Sequence, residues 1–437
     1  MKFRSTRDPG AGETSLQSAI FKGLAPDGGL YHPTATPDLS DYFRGLRGDE
    51  SFAELAGEVC VRLFPDEMTS EDARALAEKA FPFAPELVEA APAISLLELF
   101  HGPSCAFKDF GASFLANAME YFLDGRDSRA IILTATSGDT GSAVAQAFYR
   151  KRNIDVVILY PSGRVSPSQE KQLTTLGENI HALEVDGSFD DCQRMVKEAF
   201  LDTKLTRDYP LTSANSINLG RLIPQSFYYM YAWAKSGGPE GRQLFFTIPS
   251  GNFGNLTAGA LAWSWGLPVS GFIAATNAND VVPEYLESGN FSPRPSIPTY
   301  ANAMDVGNPS NFERLLKLFG DNHEAMRRMI RGCRVTDDEI LSTMARYRRE
   351  SGVFVCPHSA TGLLCSERFR DGSMPEGSRI ISLATAHPAK FTEVSLVACG
   401  EEPEMPPRLQ EVMKRQKRAD RAGNQPEDLA AALYRLF

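Results

Sequence analysis

The chain has 437 residues, 43% of them hydrophobic and 23% charged. By the usual domain size this is length for about two to three domains, and the composition excludes wholesale disorder. A net charge of −10 argues against a nucleic-acid partner. No apolar run approaches membrane-spanning length and no apolar signal region opens the chain, so a cytoplasmic protein is expected.

Residues 12–90 alternate loops with amphipathic helical patterns, among them "ELAGEVCVRLF" and "SEDARALAEKAF". From residue 94 the pattern becomes short apolar strands separated by helices. The strands are "ISLLELF", "AIILTAT", "DVVILYP", "IHALEVD", "QLFFTIPS", "GFIAAT" and "RIISLATA". Apolar on both faces, they predict an α/β architecture with mainly parallel sheets. A Pro-rich loop at 292–298 and a charged stretch at 401–421 are the clearest breaks, and 427–437 reads as a terminal helix. The expected division is a mainly helical segment 1–93, a smaller α/β region 94–215, a larger one 216–400 and a helical tail 401–437.

Seven scattered cysteines, an odd count without a C-x-x-C pair, read as reduced thiols rather than a disulfide framework. Cys356 and His358 are too close in sequence for a good chelate, and no metal is expected.

Three strand–loop–helix junctions could receive anions. In "SGDTG" (137–141), Ser137, Asp139 and Thr140 stand where a helix starts, and the same residues could serve only as caps. In "SGNFGN" (250–255), two glycines and two asparagines suit close backbone approach to a phosphate, with a plain turn as the other reading. It has neither the Walker lysine nor dinucleotide-fingerprint spacing, which disfavours a nucleotide. In "TSANSINLGRLIPQ" (212–225), Asn215, Ser216 and Arg221 offer donors, although a polar loop with a snorkelling arginine has the same pattern.

Lys108, between Phe107 and Phe110 at a predicted helix start, is the remaining oddity. Burial and the positive end of the helix dipole both disfavour its charge, as a Schiff-base lysine requires. Asp109 is expected to point away and help cap the helix. Taken alone, Lys108 reads as a stem covering aromatics rather than as chemistry. A lysine together with a phosphate loop is what pyridoxal phosphate needs.

The set "HGP"–"FKDF", "SGDTG", "SGNFGN", "PHSATG" and "ATAHPAKF", with "STR" and "GLAPDGGLYHP" near the start, resembles the threonine synthases. The likeness runs from about residue 4 to residue 391. It implies the pyridoxal-phosphate fold type II, with two open, mostly parallel twisted sheets flanked by helices. It also implies roles. Lys108 would carry the cofactor and act as general base. Phe107, Asp139, Gly251, Asn252, Phe253, Gly254, Asn255 and Thr385 would contact the cofactor, with Thr385 facing the pyridine nitrogen. Ser137, Thr140, Asn215, Ser216 and Arg221 would bind the substrate, O-phospho-L-homoserine, whose carboxylate and phosphate add two anions to the cofactor's one. Water addition would give L-threonine and phosphate, in a monomer or homodimer. The competing outcomes are a phospho-lyase yielding 2-oxobutyrate and a non-catalytic pseudoenzyme that binds the cofactor or a metabolite. Ser104-Cys105 stands where Thr-Leu is more usual, and His101, His358 and His387 lie in or beside the motifs without an assigned role.

Overall fold

The computed structural model describes residues 1–8, 10–136, 138–238 and 243–437. Strands β1 (Phe3–Ser5) and β2 (Tyr31–Pro33) pair antiparallel. An antiparallel hairpin follows, β3 (Glu86–Ala91) and β4 (Ile94–Glu98). Next come β5 (Ala130–Ala135), β6 (Ile154–Pro161), β7 (Ile180–Val185) and β8 (Leu211–Ser213). The chain then passes through β9 (Leu244–Pro249), β10 (Gly271–Thr276), β11 (Ile330–Arg334), β12 (Arg379–Ala384) and β13 (Asp420–Ala422).

These build two large sheets. One runs β11-β10-β9-β12-β4-β3 and is parallel except for the edge strand β3. The other runs β13-β7-β6-β5-β8, all parallel. Every residue of β5, β9 and β10 is buried, which is why these segments read as unbroken apolar runs instead of alternating ones.

The amino-terminal helices fold as their patterns predict. Helix Phe52–Leu63 starts at a capping box of Ser51 and Glu54 and buries Phe52, Leu55, Ala56, Val59, Cys60 and Leu63 along one stripe. Phe52 meets Phe81 at 4.9 Å and Phe110 at 5.1 Å between ring centroids. This aromatic cluster fixes the helix that begins at Lys108 against the amino-terminal segment.

Three expectations need correction. The division at residue 94 cuts the β3–β4 hairpin, and β4 pairs with β12 in the larger sheet instead of joining β5 to β8. That pairing joins segments 286 residues apart, so no local pattern reveals it. The tail is not wholly helical, since β13 extends the five-stranded sheet beside β7 before the helix Pro426–Leu436. Its three residues, Asp-Arg-Ala, are too short and polar to read as a strand. Finally, Cys333 on β11 and Cys365 on the helix Pro357–Gly372 form a disulfide, whereas all seven cysteines read as thiols. Packing of that helix on the sheet brings together two cysteines 32 residues apart.

Candidate active site

Five loops meet the requirement that ligands in parallel α/β sheets bind beyond the carboxyl ends of strands. They follow β4 (to Lys108), β5 (to Asp139), β8 (to Asn215 and Arg221), β9 (to Asn255) and β12 (to Thr385 and Lys390). Apart from Cys356 and His358, which stand at the start of the helix Pro357–Gly372, the described residues singled out in the sequence lie on these loops or at the helix starts that end them. Ser137 is outside the described residues.

Lys108 is the first residue of the helix Lys108–Leu123. The Phe107 N–H donates to the Thr385 carbonyl at 2.8 Å, and the His387 N–H donates to the Cys105 carbonyl at 3.0 Å. These bonds knit the helix start to the end of β12. Lys108 Nζ lies 5.7 Å from the centre of the Phe107 ring and makes no hydrogen bond to another described residue. Its side chain is 19% exposed. Burial pushes its pKa down from the ordinary lysine value; Asp139 acts against this, and the Lys390 and Arg221 cations add to it. Phe110 does not flank the ammonium, because it is fully buried in the aromatic cluster.

Asp109 turns inward, contrary to expectation. It is buried and accepts the Ser104 N–H at 2.9 Å, so it secures the turn before the helix and leaves the helix without a side-chain cap. Burial raises its pKa to about 6, against the Ser104 hydrogen bonds. The unusual Ser104-Cys105 pair acts here through its backbone. Ser104 also offers its carbonyl to Lys390, and Cys105 holds a left-handed φ of 58°.

Asp139 opens the helix Asp139–Phe148 and is buried between two lysines. Its Oδ2 lies 3.9 Å from Lys108 Nζ, and its Oδ1 lies 2.7 Å from Lys390 Nζ. Gln169 Nε2 also donates to Oδ1, at 3.1 Å. Burial opposes the charge, yet Lys390, Lys108 and the Gln169 hydrogen bond hold the carboxyl well below the usual carboxylate range. Gly138 admits this arrangement, since a Cβ there would come within 2.5 Å of Gln169 Nε2.

Lys390 and Gln169 were missed in the sequence. Gln169 lies on a helix, Pro167–Thr174, with no motif of its own. Lys390 had a signal: a lysine between Ala389 and Phe391, shortly after the buried end of β12, is out of place unless paired. His358, buried close to the Lys108–Asp139 pair, accepts the Ala303 N–H at its Nε2 (3.2 Å) and is held down to about 4 by burial. His387 accepts the Ala389 N–H at Nδ1 (3.1 Å) and so shapes the turn Pro388–Lys390 that delivers Lys390. His101 is instead engaged with Glu98 at 2.9 Å.

The loop after β9 places Phe253 in a left-handed conformation (φ 58°) before the helix Gly254–Ser264. First-turn N–H groups of Gly254, Asn255 and Leu256 have no intrahelical acceptor and find none among the described residues. Asn255 presents its carbonyl to the hydroxyls of Tyr228 (2.6 Å) and Tyr229 (2.7 Å), which leaves its buried Nδ2 without a partner. Asn252 is exposed and accepts from Ser310, so its side-chain oxygen faces the 310 loop. Asn311 ties this loop to the next, with its N–H on the Asn252 carbonyl (3.2 Å) and its Nδ2 on the Ser216 carbonyl (3.4 Å).

Asn215 accepts the Thr134 hydroxyl at 2.7 Å, which joins β8's loop to β5. Arg221 is buried and donates from Nη1 to the Ala214 carbonyl (2.6 Å), while its Nε has no acceptor. Burial lowers its pKa to about 10, against Asp109, and no carboxylate among the described residues pairs with it. Gly111 makes room for it, because a Cβ there would lie 2.5 Å from the Arg221 carbonyl. Thr140 stands half-buried on the first turn after Asp139.

A family model described as pyridoxal-phosphate dependent enzyme matches residues 84–386, flanked by models for the threonine synthase N terminus (2–81) and C terminus (359–432). Threonine synthase of Escherichia coli K12 is 41% identical over 436 residues, 99% of this chain and 98% of that protein. The Serratia marcescens threonine synthase is 40% identical over 94% of this chain and 93% of its own. The chain belongs to the threonine synthase family. A pyridoxal-phosphate-bound threonine synthase structure from Brucella melitensis superposes with a TM-score of 0.92 at 37% identity, covering 100% of this chain and 99% of that one. The yeast threonine synthase structure gives 0.92 at 30% identity, covering 99% and 98%.

Pyridoxal phosphate, the family's cofactor, fits the residues present. An aldehyde requires an amine that is not locked in a hydrogen bond, and Lys108 has one. A phosphate requires unmatched donors, and the helix start at Gly254 with the orphaned Asn255 Nδ2 supplies them. The further orphan at Arg221 leaves a donor for a second anion. The described residues contain no helix long and apolar enough to cross a membrane.

Proposed function

We propose that the chain converts O-phospho-L-homoserine and water into L-threonine and inorganic phosphate. Family membership sets the reaction class. The observation that carries the reading onto these residues is the coincidence of one unbonded lysine with two separate sets of unmatched donors.

Lys108, Phe107, Asp139, Thr385 and the loop of Gly251, Asn252, Phe253, Gly254 and Asn255 would hold the cofactor. When bound, it supplies a conjugated electron sink. Thr385 presents a hydroxyl that no described residue engages, a neutral partner for a ring nitrogen. Lys108 takes the Cα proton as general base, a task that a lowered proton affinity serves. Arg221, with Asn215, Ser216, Thr140 and Ser137, orients the substrate's carboxylate and phosphate and stabilises phosphate as it leaves Cγ. A monomer or homodimer suffices, since all these residues come from one chain.

The test is direct. Protein loaded with pyridoxal phosphate should release threonine and phosphate in equal amounts from O-phospho-L-homoserine. Lys108→Ala should lose the borohydride-trapped cofactor and at least about 10³ of the rate. Exclusive release of 2-oxobutyrate, ammonia and phosphate would mark a phospho-lyase instead, and a cofactor-binding protein without turnover would mark a pseudoenzyme.

A further inference from the structure

Asp139 is shared unequally. Lys390 Nζ is 2.7 Å from Oδ1, fully buried, and also 2.7 Å from the Ser104 carbonyl. Lys108 Nζ stands 3.9 Å from Oδ2, beyond hydrogen-bond reach, with no other acceptor among the described residues. Two ammoniums around one carboxylate leave a net positive charge in a buried site. The lysine with the poorer acceptors gives up a proton more readily. Without a second cation, Asp139 would be free to close on Lys108 and hold it as an ammonium, the form that is useless as nucleophile or base.

We propose that Lys390 is a positioning residue for Lys108: by occupying the Asp139 carboxylate from the buried side, it holds Asp139 beyond hydrogen-bond reach of Lys108 and leaves the Lys108 nitrogen free to react. The turn that carries Lys390 is built for this, with His387 capping it and the Cys105 carbonyl tethering it. The charged and titratable groups around the pair come from several elements. Arg221 faces Lys108 from the helix Leu219–Leu222, and His358 from the start of the helix Pro357–Gly372. Cys356 lies on the Asp139 side, just before that helix. Asp109 and Cys105 lie on the Lys390 side, and His387 beside it. Among these only Asp139 reaches either lysine within 4 Å as an anion.

The inference rests on Lys108 as the reactive lysine, and its test separates the two. The full-length chain, freed of cofactor by hydroxylamine dialysis, is labelled with limiting acetic anhydride from pH 6 to 11, and the Lys108 peptide is quantified by mass spectrometry. Lys390→Met should slow Lys108 labelling about tenfold at pH 7.5, equivalent to about one pH unit in its midpoint. Lys390→Arg, which keeps a cation at Asp139, should label like the wild type. The double variant Lys390→Met/Asp139→Asn removes both charges, avoids an unpaired buried ion, and should return Lys108 to within about threefold of wild type. Unchanged labelling in Lys390→Met overturns the proposal. So does a loss that persists in the double variant, because that would be structural damage. Borohydride trapping on another lysine would defeat the assignment of Lys108 while leaving this labelling comparison interpretable.

Discussion

Arg314 donates from Nε to the Tyr31 carbonyl at 2.8 Å, so a buried cation ties the amino-terminal segment to the helix beside the phosphate loop. The same guanidinium reaches Asn311 Oδ1 (2.7 Å) and the Ile217 carbonyl (2.5 Å). Three loops that no motif connects therefore meet at one side chain. The amino-terminal signatures lie close by: Ser5 bonds Asp27 (2.7 Å), the Leu30 N–H bonds Thr6 (2.8 Å), and Arg7 pairs with Glu313 (2.9 Å). They build the wall against which the site is set.

Removing that cation should cost stability before chemistry. Arg314→Met removes the donor from two buried acceptors and one half-buried one, and we expect a loss of about 3 kcal/mol in urea unfolding. Borohydride-trapped cofactor per folded molecule should stay close to wild type, as Arg314 makes no contact with Lys108.

Arg221 should behave in the opposite way. Its unmatched Nε and its lack of a carboxylate partner among the described residues mark it as a donor held in reserve for an anion. Arg221→Met is expected to lower kcat/KM for O-phospho-L-homoserine by about 10² to 10³ with cofactor content retained. Steady-state kinetics beside an absorbance measurement of bound cofactor decides it.

Acid should destabilise the fold through two histidines. His358 and His387 each use a ring lone pair to accept a backbone N–H, and burial holds both at about 4, below the ordinary imidazole value of about 6.5. The folded state then binds fewer protons than the unfolded chain, so their contribution is complete above about pH 6.5 and fades as pH falls through 4. Asp109, raised to about 6, acts with the other sign and favours the fold at low pH, but it is one group against two. Tm should fall between pH 6.5 and 4, and a His358→Asn, His387→Asn double variant should flatten that slope.

The disulfide closes a loop of 32 residues between β11 and the helix that carries His358. Loop-entropy reasoning gives it about 4 kcal/mol. Reduction, or Cys333→Ser with Cys365→Ser, should lower Tm by several degrees. A thiol titration of the unfolded, unreduced chain should find five reactive groups and not seven.

Much of this was legible in one dimension because it depends on neighbours in sequence. The buried strands announced themselves as apolar runs, the amino-terminal helices as amphipathic patterns with caps, and the loops after β5 and β9 as glycine-rich junctions. Lys108, Asp139 and Arg221 could be singled out because each sits inside a local pattern, whereas Thr385 came only from the resemblance to the threonine synthases. Which partners they meet depended on the closing of the sheets. Pairing β4 with β12 carries Thr385 to Phe107 and brings Lys390 to Asp139 across some 250 residues of chain, and helix packing turns Asp109 inward and joins Cys333 to Cys365. Sequence by itself determined which residues are chemically out of place; the tertiary structure decided which charges share one buried space, because hydrogen bonds and Coulomb forces act over a few ångströms regardless of separation along the chain.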